Sequence, residues 1–141
     1  MKKHDVISIG GATQDVFVRS DAAEVIRVSD KQKEKAWIGF DYGAKIPVDN
    51  IRFTVGGGAT NTSVSFAYLN LQAACMVKIG EDSAGDTVVQ RLKDKGVDTS
   101  FVLRCDKQTG YSVILTSYEG ERSILAFRGA NTEFSLSLIH I

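Results

Sequence analysis

The run GGGATN at residues 56–61 has the residue types and spacing best suited to chemistry. Consecutive glycines let the main chain approach a ligand closely and adopt positive φ angles. A helix that begins after them offers main-chain N–H groups without partners, and Asn61 adds a side chain that both donates and accepts hydrogen bonds. This combination suits the hydroxyl groups of a ligand. A close-packed turn that binds nothing is the alternative that these residues alone leave open.

Two nucleotide-binding patterns do not fit. The run is not a Walker A loop, since no Gly-Lys-Ser/Thr follows, and it lacks the Gly-x-Gly-x-x-Gly spacing of a dinucleotide-binding turn. A second glycine pair, Gly10-Gly11, follows an apolar run. A nucleotide-binding domain that used this pair would need an acidic residue about twenty residues later, at the end of a second strand. The polar stretch from Arg19 to Lys35 offers no convincing strand there, so the sequence argues against this alternative.

The elements around these turns predict an α/β fold with a mostly parallel sheet, because strands alternate with helices. The clearest helix begins at Ser83 as N-cap and stops at Gly96, with apolar side chains at helical spacing between them. A second helix is expected from Ala59 to Leu71. Strands are expected at 6–9, 15–18, 51–55, 74–79, 101–103, 111–118 and 123–127, with a hairpin at 119–121.

Composition limits the partners. The 141 residues carry 17 basic and 17 acidic side chains, so the formal net charge is zero and no bulk electrostatic attraction to nucleic acid or an anionic membrane is expected. Two cysteines do not form a disulfide framework, and neither lies in a metal-binding spacing. No apolar stretch has the length of a signal-peptide core or a membrane span. We expect a cytoplasmic protein without a metal site of its own.

Five further landmarks flank the glycine turn in a fixed order. They are Gly10 to Asp15, Gly80 to Asp86, Thr109-Gly110, Gly120 to Arg122, and Arg128 to Asn131. Together with the turn they resemble the ribokinase-like (PfkB) carbohydrate kinases over nearly the whole chain. The resemblance implies a three-layer α/β/α sandwich with a small β lid, of which this chain holds the N-terminal part.

The resemblance also implies the substrate-binding residues. Asp15 would accept hydrogen bonds from sugar hydroxyls, and an ionised carboxylate makes stronger bonds than a neutral acceptor. The main chain of Gly56 and Gly57 and the amide of Asn61 would contact the same sugar. Two further candidates, Arg128 and Asn131, either reach this pocket or have a purely structural role. Asp82 and Gly85 are expected to shape a turn and cap a helix.

One departure from the family pattern leaves the substrate open. Ribokinase-type members often carry lysine within the glycine pair segment, and Gly58 stands there in this chain. Ribose, fructose, ketodeoxygluconate and nucleosides therefore all remain candidate substrates.

The excursion at about 16–54 resembles the lid of this family, a small sheet that closes over the sugar and often mediates dimerisation. Closure would exclude water, so that ATP is not hydrolysed. The resemblance thus makes a homodimer through the lid an expected arrangement. Trp37, Phe40 and Tyr42 are expected at the lid interface, in the pocket, or packed within the lid.

The implied reaction is transfer of the ATP γ-phosphoryl group to a sugar hydroxyl, with ATP and Mg²⁺ as cofactors. The family supplies the base and an anion hole from a later Gly-Ala-Gly-Asp segment that this sequence does not contain. We therefore assign no catalytic residue and no metal ligand, and expect both cofactors to bind mainly outside this chain. The chain alone is expected to be inactive.

The chain is accordingly expected to consist of residues 1–135, the N-terminal part of a kinase domain, and a non-native tail at 136–141. A non-catalytic sugar-binding or regulatory protein with the same half-site is the main alternative, and an adenosine or other nucleoside kinase is a second. An incomplete sheet would leave apolar surfaces uncovered, which favours aggregation.

Overall fold

The computed structural model describes residues 3–30 and 33–135. The predicted tail at 136–141 lies outside the described residues. The chain divides into two compact units. One comprises the described residues of Met1–Asp15, Thr54–Ser112 and Ala126–Ile141; the other comprises those of Val16–Phe53 and Val113–Leu125.

The elements alternate as an α/β fold requires, and the short parallel pairs confirm the predicted strand direction. β1 runs parallel to β6, and β7 runs parallel to β8. A four-stranded sheet has the order β10-β9-β2-β5, and the unit boundaries fall within these four strands. The strands are β1 Val6–Ile9, β2 Thr13–Arg19, β3 Glu24–Asp30, β4 Lys33–Gly39, β5 Asn50–Gly56, β6 Ala73–Met76, β7 Lys78–Gly80, β8 Leu103–Cys105, β9 Gly110–Thr116 and β10 Arg122–Phe127. The helices are α1 Gly58–Tyr68, α2 Ser83–Asp94 and a short 3-10 helix, Gly129–Glu133.

The core of the first unit lies where α1 and α2 pack on the parallel strands. Apolar side chains spaced along α2 reach it because Val88 and Leu92 are four residues apart and fall on one helix face. Along α1 the buried side chains are small, which permits a close approach to the strands. The fully or nearly buried members of this core are Ala12, Ala59, Cys75, Val77, Ile79, Val88, Leu92 and Val97.

Three sequence predictions need correction. The apolar run 74–79 is not one strand: it breaks at Val77, where the chain changes partner from β1 to β8. The N-cap of α2 is Asp82 and not Ser83, because the Asp82 side chain accepts the hydrogen bond from the Gly85 N–H group. The strand expected at 101–103 lies two residues later, because residues 99–102 form a turn, in which the Val102 N–H group donates to the Thr99 carbonyl.

The predicted apolar face of α1 is partly wrong. Val64 and Ala67 pack against the core, whereas Tyr68 and Leu71 are exposed. The residues that α1 buries are Ala59, Thr60 and Ser63, whose small side chains give no hydrophobic periodicity in the sequence.

The second unit contains an antiparallel hairpin of β3 and β4, with Glu24 opposite Gly39 and Ile26 opposite Trp37. Arg27 on β3 forms a two-pronged ion pair with Glu119, which follows β9. The Ser20 hydroxyl donates to the Pro47 carbonyl at 2.7 Å and ties the loop after β4 to the end of β2. The extended structure expected for this excursion is confirmed.

Candidate functional site

Two glycine-containing turns of the first unit touch each other. The glycine turn, Gly56 to Gly58, joins β5 to α1, and the turn at Gly10-Gly11 follows β1. The Ala59 N–H group donates to the Gly11 carbonyl at 3.3 Å. Gly57 has φ of 105°, and a Cβ there would lie 2.7 Å from Ala12 Cα. Only glycine allows this approach, so the contact between the two turns requires glycine at position 57.

Asp15 lies directly against the glycine turn. Its Oδ1 accepts a hydrogen bond from Thr13 Oγ1 at 2.8 Å. A Cβ on the buried Gly56 would overlap Asp15 Oδ2 and lie 2.8 Å from the carboxylate carbon. The missing side chain of Gly56 is thus the space that the Asp15 carboxylate occupies. Among the described residues, Oδ2 has no hydrogen-bond partner.

The residues of α1 and its N-cap provide neither a side-chain cap nor an acidic group at this end of the helix. Gly57 is the N-cap and provides no side-chain bond, and the first turn contains no acidic residue. The Thr60 hydroxyl lies within hydrogen-bond distance of the Gly56 and Gly57 carbonyls, at 2.5 and 2.8 Å. Because these carbonyls are occupied by Thr60, the turn is held in shape.

Asn61 lies in the first turn of α1, and its main-chain N–H group donates to the Gly57 carbonyl at 3.0 Å. Its side chain is exposed and makes no hydrogen bond within the described part of the chain. It lines a groove that also contains Arg91 and Lys95. The structure therefore brings Asp15, Gly56 and Gly57 together, and it records no hydrogen bond between Asp15 and Asn61.

Asn131 holds the loop between β1 and β2 in place. Its Oδ1 accepts from the Ala12 N–H group at 2.9 Å, and its Nδ2 donates to the Ala12 carbonyl at 2.9 Å. Both polar ends of the amide are therefore used by a main chain that is 119 positions away. Arg128 caps the same 3-10 helix with its main-chain carbonyl, which accepts from the Asn131 N–H group at 3.1 Å, while its side chain is exposed.

Asp82 joins the start of α2 to the start of β9. Its Oδ1 accepts from Gly85 N–H at 2.8 Å and from the Thr109 hydroxyl at 2.6 Å, and its Oδ2 accepts from Thr109 N–H at 2.8 Å. Burial opposes ionisation, but the bonds from Thr109 and Gly85, together with the charge of Arg104, outweigh it and hold the pKa of Asp82 below its usual value. The predicted turn-shaping and capping role of Asp82 is confirmed.

The sequence assigned no supporting role to three threonine side chains, although Thr109 belongs to one of the landmarks. Thr13, Thr60 and Thr109 each fix a site group, yet threonine is common and its partners lie in the tertiary structure. Thr109 is 27 positions from Asp82. The one sequence signal for this packing was Gly110, next to Thr109, because glycine is needed where two main-chain segments pack closely. A Cβ on Gly110 would lie 2.9 Å from the Ala12 carbonyl oxygen.

In residues 3–30 and 33–135, no three His, Cys, Asp or Glu side chains are grouped so that they could hold a metal ion. Of the helices that the structure describes, none is long and apolar enough to span a membrane.

Known relatives agree on one family. The model of the pfkB family carbohydrate kinases matches residues 14–140. Ribokinase from Mus musculus is 35% identical over 77 residues, which are 54% of this chain and 24% of the relative. Ribokinase from Bacillus subtilis is 26% identical over 134 residues, covering 93% of this chain and 39% of the relative. The 2-dehydro-3-deoxygluconokinase of Bacillus subtilis is 29% identical over 90 residues, covering 62% and 28%.

Solved structures show the same fold. Arabidopsis thaliana ribokinase, complexed with ribose and ATP, superposes with a TM-score of 0.71 at 22% identity, covering 92% of this chain and 37% of that one. A nucleoside kinase from Burkholderia thailandensis, in complex with inosine, gives a TM-score of 0.66 at 16% identity, covering 88% and 36%. These matches confirm the predicted α/β ribokinase-like fold. The chain spans between 24% and 39% of the length of the curated relatives named above, and it belongs to the pfkB family of carbohydrate kinases.

Proposed function

We propose that this chain supplies the sugar-binding half of a kinase that transfers the γ-phosphoryl group of ATP to a sugar hydroxyl. The Asp15 carboxylate carries the proposal. One of its oxygens is fixed by Thr13, and the other has no partner among the described residues. A fixed carboxylate oxygen beside a glycine turn is a strong acceptor for a ligand hydroxyl.

The glycine turn would bind the same ligand through its main chain. Asp15 and Ala12 fill the positions where side chains at Gly56 and Gly57 would lie, which holds this main chain in place. α1 begins there with no acidic residue in its first turn. The Asn61 amide, one turn into α1, would add a donor and an acceptor once the ligand is in place. A polyol suits this set, because each hydroxyl both donates and accepts.

Names of the relatives support a small hydroxylated acceptor. They include ribokinase, 2-dehydro-3-deoxygluconokinase and a nucleoside kinase in complex with inosine. The Arabidopsis ribokinase was solved with ribose and ATP together. Gly58, in place of the lysine often found there, leaves ribose, fructose, ketodeoxygluconate and nucleosides as the acceptors to compare.

The chemical step would need groups beyond those described here. ATP with Mg²⁺ supplies the transferred phosphoryl group and neutralises charge when bound. The contribution of this chain is to hold one hydroxyl in position and to limit its rotation, which accelerates transfer by orientation. We assign the base and the nucleotide site to the part of the relatives that this chain does not span, so that the chain alone is inactive.

We further propose that the unit made of Val16–Phe53 and Val113–Leu125 is the lid. Its hairpin of β3 and β4 presents apolar side chains, with Ile26 50% exposed and Trp37 48% exposed. Such a surface is suited to a second copy of the chain or to a bound substrate. Arg27 and Glu119 brace it from within, since their ion pair links β3 to the segment after β9.

The test is a screen for ADP release by the reading frame extended to the length of its relatives. Ribose, fructose, ketodeoxygluconate and adenosine are the acceptors to be compared, with acceptor-free enzyme as the background. We expect at least one acceptor to stimulate ADP release well above that background, and the 141-residue chain to show none. Sugar binding by the extended protein without ADP release would instead support a non-catalytic sugar-binding protein.

A further inference from the structure

A concave site lies between α1 and α2 in the first unit. It has a volume of about 360 Å³, within the range of small-molecule sites. Successive turns of α1 contribute Asn61, Ser65 and Tyr68, and α2 with its C-cap contributes Arg91 and Lys95. We name this the α1–α2 groove.

The α1–α2 groove carries two positive charges and no negative one. No acidic residue lines it. Arg91 has no hydrogen-bond or ion-pair partner in the described segments. The Lys95 ammonium group lies 5.2 Å from the centre of the Tyr68 ring, a cation–π contact that fixes its position without neutralising its charge. In the same unit Arg104 is paired with Asp86 and Lys107 with Glu133, whereas Lys93 and Arg128, like Arg91, have no ion-pair partner among the described residues.

The lining of the groove is also divided by polarity. Val55, Val64 and Leu92 form its apolar part, and the unpartnered Asn61 amide adds a donor beside the two cations. Arg91 can bind two oxygens of one phosphoryl group, and Lys95 adds a compact positive charge. We propose that the α1–α2 groove binds a phosphate monoester, with the phosphoryl group between Arg91 and Lys95 and its small organic part against the apolar side chains.

The proposal goes beyond the sugar kinase function and does not depend on it. Arg91 and Lys95 form no hydrogen bond or ion pair with Asp15 or the glycine turn within the described residues. Asn61 is the residue that the two sites share. A ligand in the groove would therefore compete for the amide that we assign to the sugar, and bound phosphate ester is expected to weaken sugar binding.

A simpler role exists for the same cations. Arg91 lies in the last turn of α2 and Lys95 is its C-cap, where positive charge stabilises the helix dipole. Lys93 shares that position in the helix but lies outside the groove. Substitution of Lys93 therefore separates the two explanations: a dipole effect predicts equal consequences for all three positions, and a binding groove predicts loss only at Arg91 and Lys95.

The experiment titrates the 141-residue chain with glycerol 3-phosphate, followed by amide chemical shifts and by calorimetry, at low salt. We expect shifts at Asn61, Ser65 and Lys95. The double variant Arg91→Gln/Lys95→Gln should weaken binding by at least about tenfold, as two charge-assisted hydrogen bonds are removed. The matched variant Lys93→Gln should keep the wild-type affinity.

Three results would overturn the proposal: no binding by the wild-type chain, equal weakening by Lys93→Gln, or shifts confined to residues outside the groove. If the double variant does not fold, the residues whose amide shifts change in the wild-type chain and the affinity of Lys95→Gln still test the proposal. Failure of sugar phosphorylation would leave this proposal untouched, because the titration requires neither ATP nor a sugar.

Discussion

The Asp15 carboxylate occupies the place where a side chain at Gly56 would have to lie, so the two positions are packed as one unit. Thr13 fixes one carboxylate oxygen at 2.8 Å, and the other faces the turn. This packing gives the glycine a specific role: it provides room for an acceptor group. Because the two residues pack against each other, a substitution at Gly56 or at Asp15 tests the same contact.

Replacing Gly56 by alanine is expected to displace Asp15, because the added Cβ would meet the carboxylate carbon at 2.8 Å. The free energy of unfolding should fall by roughly 1–3 kcal/mol, as in other overpacked positions. Chemical denaturation measures this change. Gly58→Ala is the matched control, since nothing lies within 4 Å of a Cβ there.

Because Gly58 is the first residue of α1, alanine there should raise the free energy of unfolding by about 0.5–1 kcal/mol. Equal effects of the two substitutions would mean that the contact between Gly56 and Asp15 does not exist in solution.

Asn131→Ala removes both hydrogen bonds to the main chain of Ala12, a residue that is fully buried. Two buried main-chain groups would lose their partners, and we expect a loss of about 2 kcal/mol in the free energy of unfolding. Thermal or urea unfolding measures it. The control is Asn50→Ala, whose exposed side chain makes no hydrogen bond in the described segments, and which should change little. An unchanged free energy of unfolding for Asn131→Ala would contradict its role in holding the loop. Direct contact with a ligand would then be the better explanation for this residue.

Asp82 should make the stability of the chain depend on pH in the acid range. Its pKa in the folded state is lowered, so its stabilising contribution is fully present above the unfolded value of about 3.9 and is lost as pH falls through the folded value. Asp82→Asn is expected to be clearly less stable than the wild type at neutral pH, with a difference that narrows as the solution is acidified below pH of about 4.

Urea unfolding at a series of pH values measures this dependence. Asp94→Asn serves as the control, because Asp94 is exposed and its side chain is bonded only by Gln90 among the described residues. A difference between the wild type and Asp82→Asn that stays constant down to the acid limit would contradict the assigned hydrogen bonds.

Exposed apolar side chains on two strands predict that the chain associates with itself. Ile7 and Ile9 alternate along β1 and are 41% and 47% exposed, and Leu125 on β10 is 61% exposed. Light scattering should show a mean mass that rises with concentration, and Ile7→Thr/Ile9→Thr should reduce the rise. A monodisperse monomer at all concentrations would contradict self-association through these apolar faces.

The sequence predicted those turns and helix ends that are determined by residues adjacent in the chain. The stop at Gly96, which has φ of 75°, and the hairpin around Gly120 follow from glycine and polar residues at fixed positions. The break in the strand at Val77 could not be predicted, because a continuous apolar run does not reveal a change of strand partner. The burial of Thr60 and Ser63 on α1 was likewise hidden by their polarity.

In the candidate site, too, the sequence predicted some residues, whereas only the structure shows their contacts. Residue types identified the glycine turn that contains Gly56 and Gly57, the resemblance added Asp15, and their packing is visible only in three dimensions. The Asn131 bridge to Ala12 spans 119 positions, so no spacing rule reveals it. Arg91 and Lys95 carry no motif at all, and their relation to Asn61 depends on how α1 and α2 pack.

The most direct test of the central claim is the sugar KM of Asp15→Ala, measured in the extended kinase beside Asp94→Ala. If Asp15 binds sugar hydroxyls, its loss should raise the sugar KM by at least about tenfold while the ATP KM changes by less than about twofold. The control should match the wild type in both. An unchanged sugar KM for Asp15→Ala would contradict the proposed site.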